Sequence, residues 1–118
     1  FKGKLMDDQE QFANAVREAG KAIYKAEAAL GRADADEKKI VAMTMVKAEL
    51  NAGAKTNAAQ IRAADEDITV YQARCDRGTA KGLLALAKTE LIAAEMEFKQ
   101  WQSNMANQRL EKHRIYNS

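Results

Sequence analysis

The chain predicts an all-α fold: an antiparallel helical hairpin or three-helix bundle with a long C-terminal helix and coiled-coil-like packing. Three observations predict it. Proline is absent from all 118 residues, against an average usage of about 5%, so no position is covalently barred from a helix interior. Strong helix formers (Ala, Leu, Lys, Arg, Glu, Gln and Met) dominate, while β-branched residues are sparse and scattered. From Leu84 an apolar seam steps by threes and fours through Ala87, Leu91, Ala94, Phe98, Trp101 and Met105. A mean step of 3.5 residues keeps these on one helical stripe and suits packing against other long helices.

Each element has its own signals. Residues 1 to 6 form a partly apolar lead-in, and Asp7 with Glu10 has capping-box spacing. A first helix over 8–30 follows, its face marked by Phe12, Val16, Ala19, Ile23, Ala26 and Leu30, with Gly31 as its stop. Residues 32–36 read as a connection, because Asp34 and Glu37 repeat the capping pattern. A second helix is predicted over 36–52. Its residues Ile40, Val41, Met43, Met45, Val46 and Leu50 cover a broad face that suits neighbours on two sides. Gly53 is the next stop and Thr56 the next N-cap.

The last helix is predicted over 57–115, with two candidate breaks. One lies near 65, where Asp65, Glu66 and Asp67 favour the positive end of a helix dipole. The other is 78–82, where Gly78 and Gly82 suit a close helix approach or a hinge. A phosphate-binding loop is disfavoured there, since no strand precedes the glycines and no Lys-Ser/Thr follows. Unbroken from Asp67 to Arg114, this helix would span about 70 Å, against about 35 Å for the first. Such a mismatch asks for helices stacked end to end along it, or for a second chain.

Aromatic residues make up 6% of the chain, and much of the 47% apolar content is alanine. The core should therefore be thin and the helices close. A formal charge of +2 is too small to imply a polyanionic partner by itself. Opposite charges alternate along most of the chain, as on solvated helix faces. Cys75 is the single cysteine; it excludes an intrachain disulfide, fits a reducing cytoplasm and reads as a small buried residue. No stretch approaches the roughly 20 apolar residues of a membrane span, so no membrane contact is expected. The chain opens on Phe1 rather than Met, so further N-terminal sequence is expected and a missing signal peptide carries no weight.

Catalytic chemistry lacks its usual groups. His113 is the only histidine and lies in Lys112-His113-Arg114, where cations suit a helix C-terminus. One Cys and one His cannot complete a zinc site within one chain. Glu90, Glu95 and Glu97 have no Glu-x-x-His partner of the di-metal kind. No catalytic residue, metal, cofactor or small-molecule substrate is expected, and the chain does not read as an enzyme. Nucleic acid is a better ligand candidate. Between Lys99 and Ser118 the cations Lys99, Arg109, Lys112 and Arg114 stand against Glu111 alone, a local charge of +3 before His113. Trp101 and Tyr116 lie in the same stretch, and aromatic rings beside cations can stack bases while the cations hold phosphates.

The segments Lys55-Thr56-Asn57-Ala58-Ala59-Gln60, Tyr71, Phe98-Lys99-Gln100-Trp101 and Met105-Ala106-Asn107-Gln108-Arg109 carry a resemblance over about half of the chain. It resembles small helical proteins of unassigned role from tailed phages and prophages. The resemblance implies an accessory of DNA metabolism or a host-factor-binding protein in a bacterial cytoplasm. It brings no established active residues.

Two functions are expected in order. The first is a non-enzymatic interaction protein, such as a phage accessory or inhibitor, that binds a protein partner or itself through the seam Leu84, Leu91, Phe98, Trp101 and Met105. The second is a nucleic-acid-binding accessory of recombination or replication that uses Lys99, Trp101, Arg109, Lys112, Arg114 and Tyr116.

Overall fold

The computed structural model describes the backbone of residues 2–117 and the side chains of residues 7–115. Three helices follow in order: α1 (Lys2–Ala52, 51 residues), α2 (Asn57–Glu66, 10 residues) and α3 (Ile68–Asn117, 50 residues). No strand occurs among the described residues. The all-α expectation and the long C-terminal helix therefore hold.

Helix continuity differs from the expectation at the first connection. The predicted helices 8–30 and 36–52 are one helix, and residues 32–36 are ordinary helix interior. Gly31 costs at most about 1 kcal/mol relative to alanine in that position, too little to break a helix that packs on both sides of it. Asp34 and Glu37, which have capping spacing, instead bind arginines of α3. Asp7 likewise lies inside α1, which starts at Lys2, so it caps nothing. With α1 and α3 nearly equal in length, the predicted mismatch disappears.

The other punctuation falls where local chemistry puts it. Gly53 takes φ 71°, a left-handed conformation that side-chain-bearing residues rarely adopt. Beyond it, the Ala54 N–H donates to the Ala48 carbonyl at 3.1 Å, which turns the chain back against the last turns of α1. Thr56 is extended and its hydroxyl oxygen accepts from the Ala59 N–H, making it the N-cap of α2. The candidate break near 65 is realised at Asp67, which follows α2 in an extended conformation and opens α3. Its Oδ1 accepts from the N–H of Thr69 at 2.8 Å and of Val70 at 3.2 Å, and from the Thr69 hydroxyl.

The candidate break at 78–82 is not realised. Gly78 and Gly82 sit in uninterrupted, exposed helix, and a Cβ at either position would meet nothing within 4 Å. Neither a hinge nor a close helix approach occurs there. Cys75 also departs from expectation, since it is exposed rather than buried.

The chain divides into two compact units, Phe1–Ile23 with Leu86–Ser118, and Tyr24–Ala85. In the first, α1 and α3 run antiparallel. The ring of Phe12 lies 6.4 Å from that of Phe98 and 5.8 Å from that of Trp101 between centroids. Phe98 and Trp101 meet edge to face at 6.1 Å, so the three rings form one cluster. Val16, Ala19 and Ile23 of α1 and Leu91, Ala94 and Met105 of α3 are half-buried on the inward stripes, with Ala87 buried.

In the second unit all three helices meet. Its buried residues are Ala48 of α1, Ala64 of α2, and Val70, Ala73 and Ala80 of α3. Only Val70 is larger than alanine, which is the thin core that composition predicts. A charge network flanks it on one side. Arg77 reaches Asp34 at 3.2 Å and Glu37 at 3.4 Å, while Arg74 reaches Asp65 at 2.9 Å and Glu37 at 3.8 Å. Three helices are thereby tied by two arginines.

Candidate interaction surface

The seam expected to meet a partner turns inward. Leu84, Leu91, Phe98, Trp101 and Met105 are all half-buried, and Phe98 and Trp101 are engaged by Phe12. The Trp101 indole Nε1 is buried without a hydrogen-bond partner among the described residues. The seam is thus mainly intramolecular packing, because α1 supplies the complementary stripe that a second chain was expected to provide.

The basic tip is dispersed by the helix that carries it. Lys99, Arg109, Lys112 and Arg114 are exposed. At 3.6 residues per turn Arg109 and Lys112 share a side, Arg114 turns to roughly the opposite one, and Lys99 lies about 15 Å before Arg109. Trp101 is committed to its ring cluster, and the Tyr116 side chain lies outside the described residues. Among the described residues, the structure therefore does not gather Lys99, Trp101, Arg109, Lys112 and Arg114 into one patch.

A different surface emerges in the unit Tyr24–Ala85. Between α1 and α3 lies an open groove of about 670 Å³, floored by Ala29, Ala33, Ile40, Met43 and Ala73. Arg32, Asp36 and Lys39 of α1 and Asp76 of α3 stand along it. The α1 positions 29, 33, 36, 40 and 43 step four, three, four and three, a second stripe beside the inward one. The broad apolar face expected over 36–52 continues back to Ala29, because residues 32–36 are helix and not the expected connection. Met43, Val46 and Leu50 extend apolar surface along α1, the last with 77% of its surface exposed. On α3, Ile68, Tyr71 and Leu83 are also more than half exposed.

Two titrating groups respond to local partners. Hydrogen bonds from the Thr69 hydroxyl and the Val70 N–H hold the Asp67 carboxyl below its ordinary value of 3.8, with smaller help from the Thr69 N–H and Lys47. A hydrogen bond with Cys75 raises the Tyr71 hydroxyl above its ordinary value. Neither arrangement assembles a nucleophile, base and orienting group in a cleft. Among the described residues no three His, Cys, Asp or Glu side chains cluster to hold a metal, and no helix is long and apolar enough to cross a membrane. Compared with protein-family models, curated proteins and solved structures, the chain matches none.

Proposed function

We propose that the chain is a non-enzymatic helical interaction protein, binding a protein partner through apolar side chains that α1 and α3 expose to solvent. One observation carries this. In the unit Tyr24–Ala85, Met43, Val46, Leu50 and Leu83 are all about half exposed or more, while the core is alanine and one valine. Exposed apolar helix faces are the usual material of helix-in-groove and bundle recognition. The resemblance to small phage proteins supports an accessory or inhibitor role of this kind in a bacterial cytoplasm. Because the predicted seam is inside, the partner surface is the outer apolar set.

A nucleic-acid role has weaker support, since Trp101 is held among phenylalanines and the exposed cations diverge around α3. Retention of partners on the immobilised chain, compared with a Met43→Gln, Val46→Gln, Leu50→Gln variant, tests the proposal. Specific retention lost in the variant supports it, whereas retention unchanged by the three substitutions counts against it. Anisotropy of labelled single- and double-stranded oligonucleotides at low and moderate salt is the control. Salt-sensitive binding abolished by Arg109→Ala, Lys112→Ala and Arg114→Ala would overturn the proposal in favour of nucleic acid.

A further inference from the structure

We infer that a second copy of this chain occupies the groove between α1 and α3 of the unit Tyr24–Ala85, two helix pairs closing into a four-helix core. The inference rests on the interaction role proposed above and names the occupant. Its first support is the incomplete core. Two antiparallel helices present one stripe each, and here the stripes bury only Ala48, Ala73, Ala80 and Val70, with Ala64 of α2 completing the set. Bundles of long helices reach a closed core with four members. The groove supplies the missing inner layer, because Ala29, Ala33, Ile40 and Met43 lie on a stripe adjacent to the buried one.

Charge is the second support. Arg32 and Lys39 are balanced along the groove by Asp36 and Asp76. A surface with no net charge and both signs interspersed can face itself, as a two-fold interface requires. A polyanion or a strongly acidic partner would find no such match. With the two-fold along the helix direction, each α1 lies antiparallel over the other chain's α3. Asp76 then meets Arg32 or Lys39 of the second copy, and Met43 packs at the centre.

Sedimentation equilibrium and light scattering of the full chain, across low to high micromolar concentration, test the inference. The expected species has twice the 13.0 kDa mass, in reversible exchange with monomer. Met43→Glu should raise the dimer dissociation constant at least about tenfold, with helicity by circular dichroism retained because the side chain is half exposed in the single chain. Asp76→Arg should also weaken the dimer, and adding Arg32→Asp and Lys39→Asp to the same chain should restore it. A wild-type chain monomeric throughout overturns the inference, yet leaves binding to a different protein standing. A dimer indifferent to both Met43→Glu and Asp76→Arg overturns the groove as its seat.

Discussion

The Nε of Arg77 in α3 lies 3.2 Å from Oδ1 of Asp34, a residue in the middle of α1. The same guanidinium reaches Glu37, and Arg74 joins Glu37 to Asp65 of α2. Arg77 and Asp34 are 50% and 36% exposed, so water screens most of their attraction. A double-mutant cycle with Asp34→Ala and Arg77→Ala should return a coupling of about 0.2–1 kcal/mol that shrinks in high salt. Glu37, with only 16% of its side chain exposed, faces both arginines, and Glu37→Ala should destabilise more than Asp34→Ala. Urea unfolding at fixed protein concentration reads both, and equal effects would mean that the network is not centred on Glu37.

Acid sensitivity should trace in part to Asp67. Its hydrogen bonds lower the folded-state value beneath the ordinary 3.8, so the folded chain binds fewer protons there than the unfolded chain. The resulting stabilisation is complete above the ordinary carboxylate value and is lost as pH falls through the lowered one. Asp67→Asn keeps a capping oxygen but cannot ionise. Thermal unfolding should therefore separate wild type from Asp67→Asn at pH 7, with the gap closing below about pH 4. A gap independent of pH would show that the carboxylate charge contributes nothing at this cap.

Glycine replacements should divide by backbone conformation. Gly31, Gly78 and Gly82 are helical, and an added Cβ at each meets nothing within 4 Å. Alanine at any of them should add about 0.5–1 kcal/mol of stability. Gly53→Ala should do the reverse, because φ 71° strains a residue with a Cβ. Melting temperatures of the four single variants provide the measurement. Destabilisation at Gly78 or Gly82 would reveal a helix of another molecule against that face.

The ring cluster of Phe12, Phe98 and Trp101 makes the tryptophan a reporter of its unit. Phe12→Ala should shift Trp101 emission to longer wavelength, since it removes a ring at 5.8 Å. Phe98→Asp or Leu91→Asp should cause loss of helicity at moderate temperature, because each carries a charge onto the inward stripe. Half-burial softens the effect to about 2–4 kcal/mol, below that of a fully enclosed site. Trp101→Phe leaves a ring and removes an indole N–H that has no partner among the described residues, so it should be the mildest change in the cluster. Full helicity in Phe98→Asp would show that the stripe is dispensable for folding.

Legibility in the sequence followed the range of the interaction involved. The inward stripes of Phe12 to Leu30 and Leu84 to Met105 were readable because helical spacing alone brings their members to one side. The stop at Gly53 and the caps at Thr56 and Asp67 were readable because each acts within a few residues. The groove was not, since it needs α1 to run through 32–36 and needs Asp76 and Ala73 beside it. The basic tip is legible only as composition: the sequence counts the cations of 99–118, and helical rotation spreads them around α3.

By itself, then, the sequence determined helical identity, the inward stripes and the caps at Thr56 and Asp67, all of which depend on propensity and spacing along one segment. Tertiary structure decided whether Asp34 begins a helix or continues one. The free energy separating those outcomes is small locally, and an arginine 40 positions away from Glu37, together with packing on both sides of Gly31, outweighs it. The same long-range pairing assigned the seam to α1 and left the groove from Ala29 to Met43 open, because a stripe has an inside only once its neighbour is in place.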